Sequence, residues 1–218
     1  MRNKLSAPAL CLLFIVPALF ASGVPSSPQP SMGMSPQDTA IRAFNDGLRY
    51  RDRAWKAEKE LATTQDDGRR QKLMEAVRKS YEADIRSQRA AINDNPKMFQ
   101  AYTELGYALR KTGNYDDALR SYDKALELMP NYGEAIEYRA EAYLGLNRVD
   151  DAKSSYLMLY NGGAKELSKQ LGDAMQKWVT DRKATPGDVA ATSIDDFAKW
   201  ISQRTEIAGT TGTGSSWR

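Results

Sequence analysis

The chain has 218 residues, 27% charged and 41% hydrophobic, and its 31 Lys and Arg against 28 Asp and Glu give a net charge of +3, the profile of one surface-rich domain with tails rather than a membrane channel. Histidine is absent and Cys11 is the lone cysteine, which removes Ser-His-Asp and Cys-His catalysis, Cys/His zinc sites, histidine-ligated haem and any intramolecular disulfide. No cofactor or metal is expected, and basic residues everywhere interleaved with acids argue against nucleic acid as a partner.

The first 23 residues, MRNKLSAPALCLLFIVPALFASG, read as a signal peptide. Arg2 and Lys4 precede an apolar run from Ala9 to Ala21, and Ala21 and Gly23 are spaced for cleavage. The run is about 13 residues where a bilayer span takes about 20. No lipoprotein processing box precedes Cys11. Removal of this segment takes the charge down to about +1 and leaves a cysteine-free protein, exported to the periplasm or secreted, with no stable membrane insertion after processing. An uncleaved anchor is the alternative. Residues 24–35, VPSSPQPSMGMS, are Pro- and Ser-rich and read as an extended linker.

Residues 36–98 read as helical. Ser35, Pro36 and Asp38 form a helix start, with a capping side chain, Pro in the first turn and an early acid. Ile41, Phe44, Leu48 and Trp55 follow at helical spacing, TTQDDG at 63–68 is a turn, and Trp55, Leu73, Met74, Val77 and Tyr81 form the expected seam. Two separate hairpins joined by an unrecognised loop remain the alternative to one long one. The middle of this segment, 51–79, carries nine basic and six acidic residues.

Residues 99–132 and 133–166 align without gaps at a period of 34. Ala101, Ala108, Asp116, Asp117, Ala118, Ser121 and Tyr122 recur as Ala135, Ala142, Asp150, Asp151, Ala152, Ser155 and Tyr156. Each unit reads as two antiparallel helices. Tyr102, Leu105 and Leu109 share one face, and Gly106 and Ala108 allow close approach. Gly113 and Asn147 sit where the turn needs a left-handed residue, and the paired Asp residues open the second helix. Ala118, Tyr122 and Ala125 pack back, and Pro130 ends the unit.

This order of small, large, Gly, Ala, aromatic, Ala and Pro resembles the tetratricopeptide repeat family. Residues 99–132 follow it closely. Residues 133–166 depart from it at Arg139, where Leu is expected, and at Ala164 in place of the closing Pro. The resemblance implies an all-α fold, a short right-handed α-α superhelix with a third unit upstream. Gly47 to Pro96 spans 25 more residues than Gly106 to Pro130. Residues 36–98 are therefore expected to form an overlong N-terminal hairpin, each helix lengthened by about 12 residues or roughly 18 Å.

Residues 167–207 carry stripes at Leu167, Leu171, Met175 and Trp178 and at Ile194, Phe197, Trp200 and Ile201, with Ser193 to Asp196 as a capping box. These are expected to be capping helices over the end of the stack. Residues 208–218 read as a disordered tail.

The resemblance implies protein–protein interaction and no enzymatic activity. The expected groove positions are Gln100, Thr103, Tyr107, Arg110 and Lys111 on one first helix and Glu134, Glu137, Tyr138 and Glu141 on the next. They are read as exposed, with charge of both signs and two tyrosines suited to a peptide or partner helix. One subset of the family grips a C-terminal carboxylate with Lys, Asn and Arg; Thr103, Tyr107, Glu137 and Tyr138 stand at those positions, so that activity is not implied. The partner is expected to be another protein, in assembly of an envelope or secretion complex. Two alternatives stand beside it: a hydrolase using the Glu137 and Glu141 carboxylates, and capture of the partner by the charged hairpin.

Overall fold

The structure, a computed structural model, describes residues 34–211, with side chains through Arg204. The signal-peptide segment, the linker up to Gly33 and residues 212–218 lie outside the described residues. Among those described there are eight helices and no strand: α1 (Pro36–Thr63), α2 (Asp67–Asp94), α3 (Phe99–Lys111), α4 (Tyr115–Leu128), α5 (Gly133–Gly145), α6 (Val149–Asn161), α7 (Lys165–Ala184) and α8 (Ala191–Thr211). Each packs mainly on its chain neighbours, and α1, α3, α5 and α7 also touch in succession. This is the helix-pair stacking of a solenoid.

The helix starts follow local chemistry. Ser35 caps α1: the Asp38 amide donates to its Oγ (3.2 Å), its hydroxyl returns to the Asp38 carboxylate (2.7 Å), and Pro36 fills the first turn. Asp66 caps α2 by accepting from the Arg69 amide (2.6 Å). At α8 the expected capping box is not used. The Ala190 carbonyl accepts from the amides of Ser193 (3.0 Å) and Ile194 (3.2 Å), so the helix begins before Ser193 and places it inside the first turn. The same helix continues to Thr211, past the expected boundary at 207.

The turns repeat. Gly113 (φ 81°), Asn147 (φ 58°) and Gly163 (φ 78°) end α3, α5 and α6. In each, the next residue's amide reaches back to the carbonyl five positions earlier: Asn114 to Leu109, Arg148 to Tyr143, Ala164 to Leu159. This pattern closes a helix with one left-handed residue.

The long hairpin is one unit, α1 and α2 each having 28 residues against 13 and 14 for α3 and α4. Its seam includes Tyr81 of the expected set and departs from that set at Trp55 and Met74. On α1 the buried residues are Ala40, Gly47 and Ala54, small side chains one heptad apart, while Ile41 is 41% exposed, Trp55 39% and, on α2, Met74 50%. Small residues let the two helices approach closely, and the large ones rotate out of the seam. On α2 the buried set is Tyr81, Asp84, Ile85, Gln88 and Ala91. A Cβ on Gly47 would lie 2.1 Å from Gln88 Nε2, as one on Gly106 would lie 2.5 Å from Tyr122 Cε1. The hairpin and the first repeat thus share one close approach.

Beyond α6, the two C-terminal helices cover the apolar end of the stack. Leu171, Met175, Trp178 and Val179 of α7 and Ile194, Phe197 and Ile201 of α8 are buried with Ile136, Leu144, Tyr156 and Leu159. Trp178 Nε1 donates to the Leu144 carbonyl (2.8 Å), satisfying a polar group at the end of α5 inside this core.

Candidate functional site

The first helices α1, α3 and α5 present adjacent faces, and side chains bridge them. Trp55 Nε1 of α1 donates to the Tyr107 hydroxyl of α3 (2.6 Å), with the rings edge to face at 6.0 Å. Tyr107 packs in turn on Tyr138 of α5 (5.1 Å). Three aromatic rings therefore run across three helices along the inner wall. Edge-to-face and tilted pairs at these distances each add about 0.5–1.5 kcal/mol beyond area burial.

Ion pairs flank the rings. Arg51 bridges α1 to Glu104 of α3 (2.7 Å), Lys111 of α3 reaches Glu58 of α1 (2.9 Å), and Arg110 of α3 pairs with Glu141 of α5. Each cation also lies over a ring: Arg51 over Trp55 (4.3 Å), Arg110 over Tyr107 (5.1 Å), Lys111 over Tyr81 (5.7 Å). Lys111 closes α3, so beyond Glu58 only residues 59–63 of α1 run on toward the turn, about 8 Å of helix. On the hairpin as a whole, no residue between Ala54 and Tyr81 is buried, so the turn end of α1 and α2 is held chiefly by its own seam and by these bridges.

The expected groove residues divide into three kinds. Gln100, Tyr138 and Glu134 are partly exposed on the wall. Arg110, Lys111 and Glu141 are there too, but each is already in a salt bridge. Thr103, Tyr107 and Glu137, expected to be exposed, are buried at 2%, 8% and 3%. The correction has a local cause in each case. Thr103 turns its hydroxyl back to the Phe99 carbonyl (3.0 Å), Tyr107 is enclosed by Trp55, Tyr81 and Tyr138, and Glu137 lies against Glu141 and Arg110. Sequence reasoning missed Arg51, Trp55, Glu58 and Glu104 as wall residues. The signal was available in the repeat of Arg51 and Trp55 at helical spacing beside the Ala40, Gly47, Ala54 line, once that line is taken as the seam.

The Glu137 carboxyl is pushed up to about 8. Burial is the main cause, followed by the charge and hydrogen bond of Glu141, with Arg110 opposing. Two neighbouring carboxyl groups are the pairing a glycosidase uses. Here Glu141 is engaged by Arg110, and 3% exposure leaves almost no surface through which a substrate oxygen could meet the Glu137 proton. A second buried acid, Asp84, lies at the hairpin base. It is pushed up to about 7, first by burial, while Gln88 Nε2 donates to its Oδ1 (2.9 Å). Among the described residues no group of three or more His, Cys, Asp or Glu could hold a metal ion, and no helix is long and apolar enough to cross a membrane.

Residues 99–132 match the tetratricopeptide repeat family. Over 132 residues, 57% of this chain and 72% of the relative, the sequence is 26% identical to a protein named Photosystem I assembly protein Ycf3 from Synechococcus sp. (strain CC9902). With that match falling on the α3–α4 pair, residues 99–132 form a tetratricopeptide repeat; its Gly contact recurs upstream at Gly47 and its left-handed turn downstream at Asn147.

Proposed function

We propose that this chain is an interaction scaffold that holds a segment of another protein against the inner wall of α1, α3 and α5 while a larger complex is assembled. The observation that carries it is the aromatic row Trp55–Tyr107–Tyr138, which ends in a tryptophan still 39% exposed after every neighbour in the chain has packed. Half-open aromatic side chains with a hydrogen-bonding edge give a partner large contact area at small entropic cost. Similarity to a protein named as an assembly factor supports the assembly role. The basic, then apolar, start of the sequence supports an exported setting, with an envelope or secretion complex as the product.

Site-specific photo-crosslinking in the native cell tests the reading. A crosslinker at Trp55, Gln100 or Glu134 should capture one recurring partner, and one at Met129 or Met158, which are exposed outside this wall, should not. Capture from the outer positions alone refutes it. The hairpin tip is a second reading, supported by Met74, half exposed among Gln71, Lys72, Glu75 and Arg78. Replacing residues 60–70 by a short turn leaves Glu58 and Tyr81 in place and separates the two: retained capture assigns the contact to the wall.

A further inference from the structure

Where α1, α2 and α3 meet, buried polar atoms are left over on every helix. Among the described residues, Arg51 Nε of α1, Asp84 Oδ2 and Gln88 Oε1 of α2 and Glu104 Oε2 of α3 have no hydrogen-bond partner. Buried polar groups are ordinarily satisfied, so each exception calls for a physical reason. The groups are close to one another. A Cβ on Gly47 would lie 2.7 Å from Asp84 Oδ1, and Arg51 stands one turn beyond Gly47 on the same side of α1. Arg51 Nη1 is meanwhile bonded to Glu104 (2.7 Å), its guanidinium lying over the Trp55 ring (4.3 Å).

One guanidinium thus faces two buried carboxyl groups. It can neutralise one of them, and an unpaired carboxylate out of water is costly, so the other holds a proton. In the structure Arg51 is on Glu104, and the proton falls to Asp84. Burial raises both carboxyls, Asp84 up to about 7, while Arg51 opposes the rise at Glu104. The groups facing Asp84 are Arg51 and Asp52 from α1, Glu104 from α3 and Gln88 from its own helix. Asp52 is 64% exposed and screened by solvent. Asp84 and Glu104 differ in dryness: Asp84 is 0% exposed, whereas the Glu104 side chain keeps 13%. Once both are ionised, the cation lowers the energy more at the drier one.

We propose that Arg51 is a two-position latch, tying α1 to Glu104 of α3 while Asp84 holds its proton and turning to Asp84 Oδ2 of α2 when that proton leaves. The Asp84 O–H bond breaks and its proton goes to solvent. The freed carboxylate gains the guanidinium, and Glu104 keeps its charge facing the little water it has. The orphaned Nε and Oδ2 are the donor and acceptor of the second position. Below neutrality α1 is tied to both neighbours; above it, Arg51 leaves the Trp55 ring and binds α1 to α2 alone. This stands whether or not a partner lies on the wall.

Nuclear magnetic resonance on the full chain tests it, following the Asp84 and Glu104 side-chain carboxyl carbons and the Arg51 Nε–H signal, which is assigned by its loss in Arg51→Lys. In a titration from about pH 5 to pH 9, the Arg51 signal should move in the same step as the Asp84 carboxyl. Asp84→Asn, which cannot ionise, should leave the Arg51 signal constant across the range. Glu104→Gln removes the competitor, so Asp84 should lose at least about tenfold in proton affinity, and the Arg51 signal of the high-pH state should appear already at the acid end. Should Glu104→Gln fail to fold, the parent and Asp84→Asn decide between them. A constant Arg51 signal in the parent overturns the proposal, whether or not Asp84 titrates. So does an Arg51 step that persists in Asp84→Asn, or an Asp84 midpoint unmoved by Glu104→Gln.

Discussion

Asp84 is the residue whose replacement most directly tests the physics of this fold. It is fully buried at the base of the hairpin, with Oδ1 accepting from Gln88 Nε2 and Oδ2 without a partner, while Gln88 Oε1 is also unsatisfied. Charged neighbours do not rescue an ionised form: Glu104 and Asp52 repel it and Arg51, held by Glu104, only partly compensates. Burial therefore moves the carboxyl from 3.8 to about 7. The sign follows from which state ionises first. Below pH 4 both folded and unfolded chains hold the proton and Asp84 contributes nothing. Between 4 and 7 the unfolded chain ionises while the folded one stays protonated, so stability falls as pH rises. Above 7 the loss is complete; a shift of about three tenfold steps in proton affinity, at about 1.4 kcal/mol each, sets its upper size at about 4 kcal/mol. Asp84→Asn removes the ionisation, and its amide can donate to the orphaned Gln88 oxygen. At pH 8 the variant should be the more stable by about 2–4 kcal/mol, about 5–15 °C in melting temperature for a chain of this size. At pH 4 the two should agree within about 1 kcal/mol. Urea melts of both proteins at pH 4, 6 and 8 measure this. Parallel pH profiles would show that Asp84 is ionised in the folded state and refute the reasoning.

Other substitutions probe the repeat geometry and the cap. Gly106→Ala places a Cβ 2.5 Å from the fully buried Tyr122 ring; overpacking of about 1–3 kcal/mol exceeds the gain in helix propensity of about 1, and denaturant melts should show a net loss. Gly113→Ala meets no atom but must hold φ 81°, which should cost about 1–2 kcal/mol. Asn147→Gly relieves the same strain and deletes a buried, unpaired Oδ1, and should stabilise by about 0.5 kcal/mol in the same assay. Trp178→Phe keeps the ring in the α7–α8 core but abandons the Leu144 carbonyl, and thermal melts should register about 1–2 kcal/mol lost.

What the sequence disclosed and what it hid follow one physical division. The 34-residue period, the left-handed Gly113 and Asn147, and the Gly106–Tyr122 contact all depend on backbone and on side chains local to one helix pair, and residue type alone reports them. The exposure of Thr103, Tyr107 and Glu137 depends on what a neighbouring helix brings. Tyr107 is buried because Trp55 lies 52 positions earlier and hydrogen-bonds to it. No local pattern announces a partner at that separation. The hairpin seam is hidden for a related reason: large apolar residues ordinarily mark the buried face, whereas on α1 Ala40, Gly47 and Ala54 do, because closeness of approach there outweighs the area each side chain could bury.

The two halves of the stack are held by different chemistry, and this bears on how a partner would act. From α5 onward an apolar core fixes each helix to the next. Where the hairpin meets α3, its contribution to the apolar core is Ala54, Tyr81 and Ile85, and the α1 side is joined by Arg51–Glu104, Trp55–Tyr107 and Lys111–Glu58. At the corresponding places in the first repeat, twelve and eight residues before Pro130, stand Ala118 and Tyr122. In the hairpin, at the same distances before Pro96, stand Asp84 and Gln88. A polar pair has replaced the packing that sets helix spacing elsewhere. Contacts of this kind are worth about 0–1 kcal/mol each when water can reach them and more when it cannot. A segment laid across Trp55 excludes water from the very pairs that position α1. Binding on the wall and anchoring of the hairpin then draw on the same side chains, and each must strengthen the other by the same free energy.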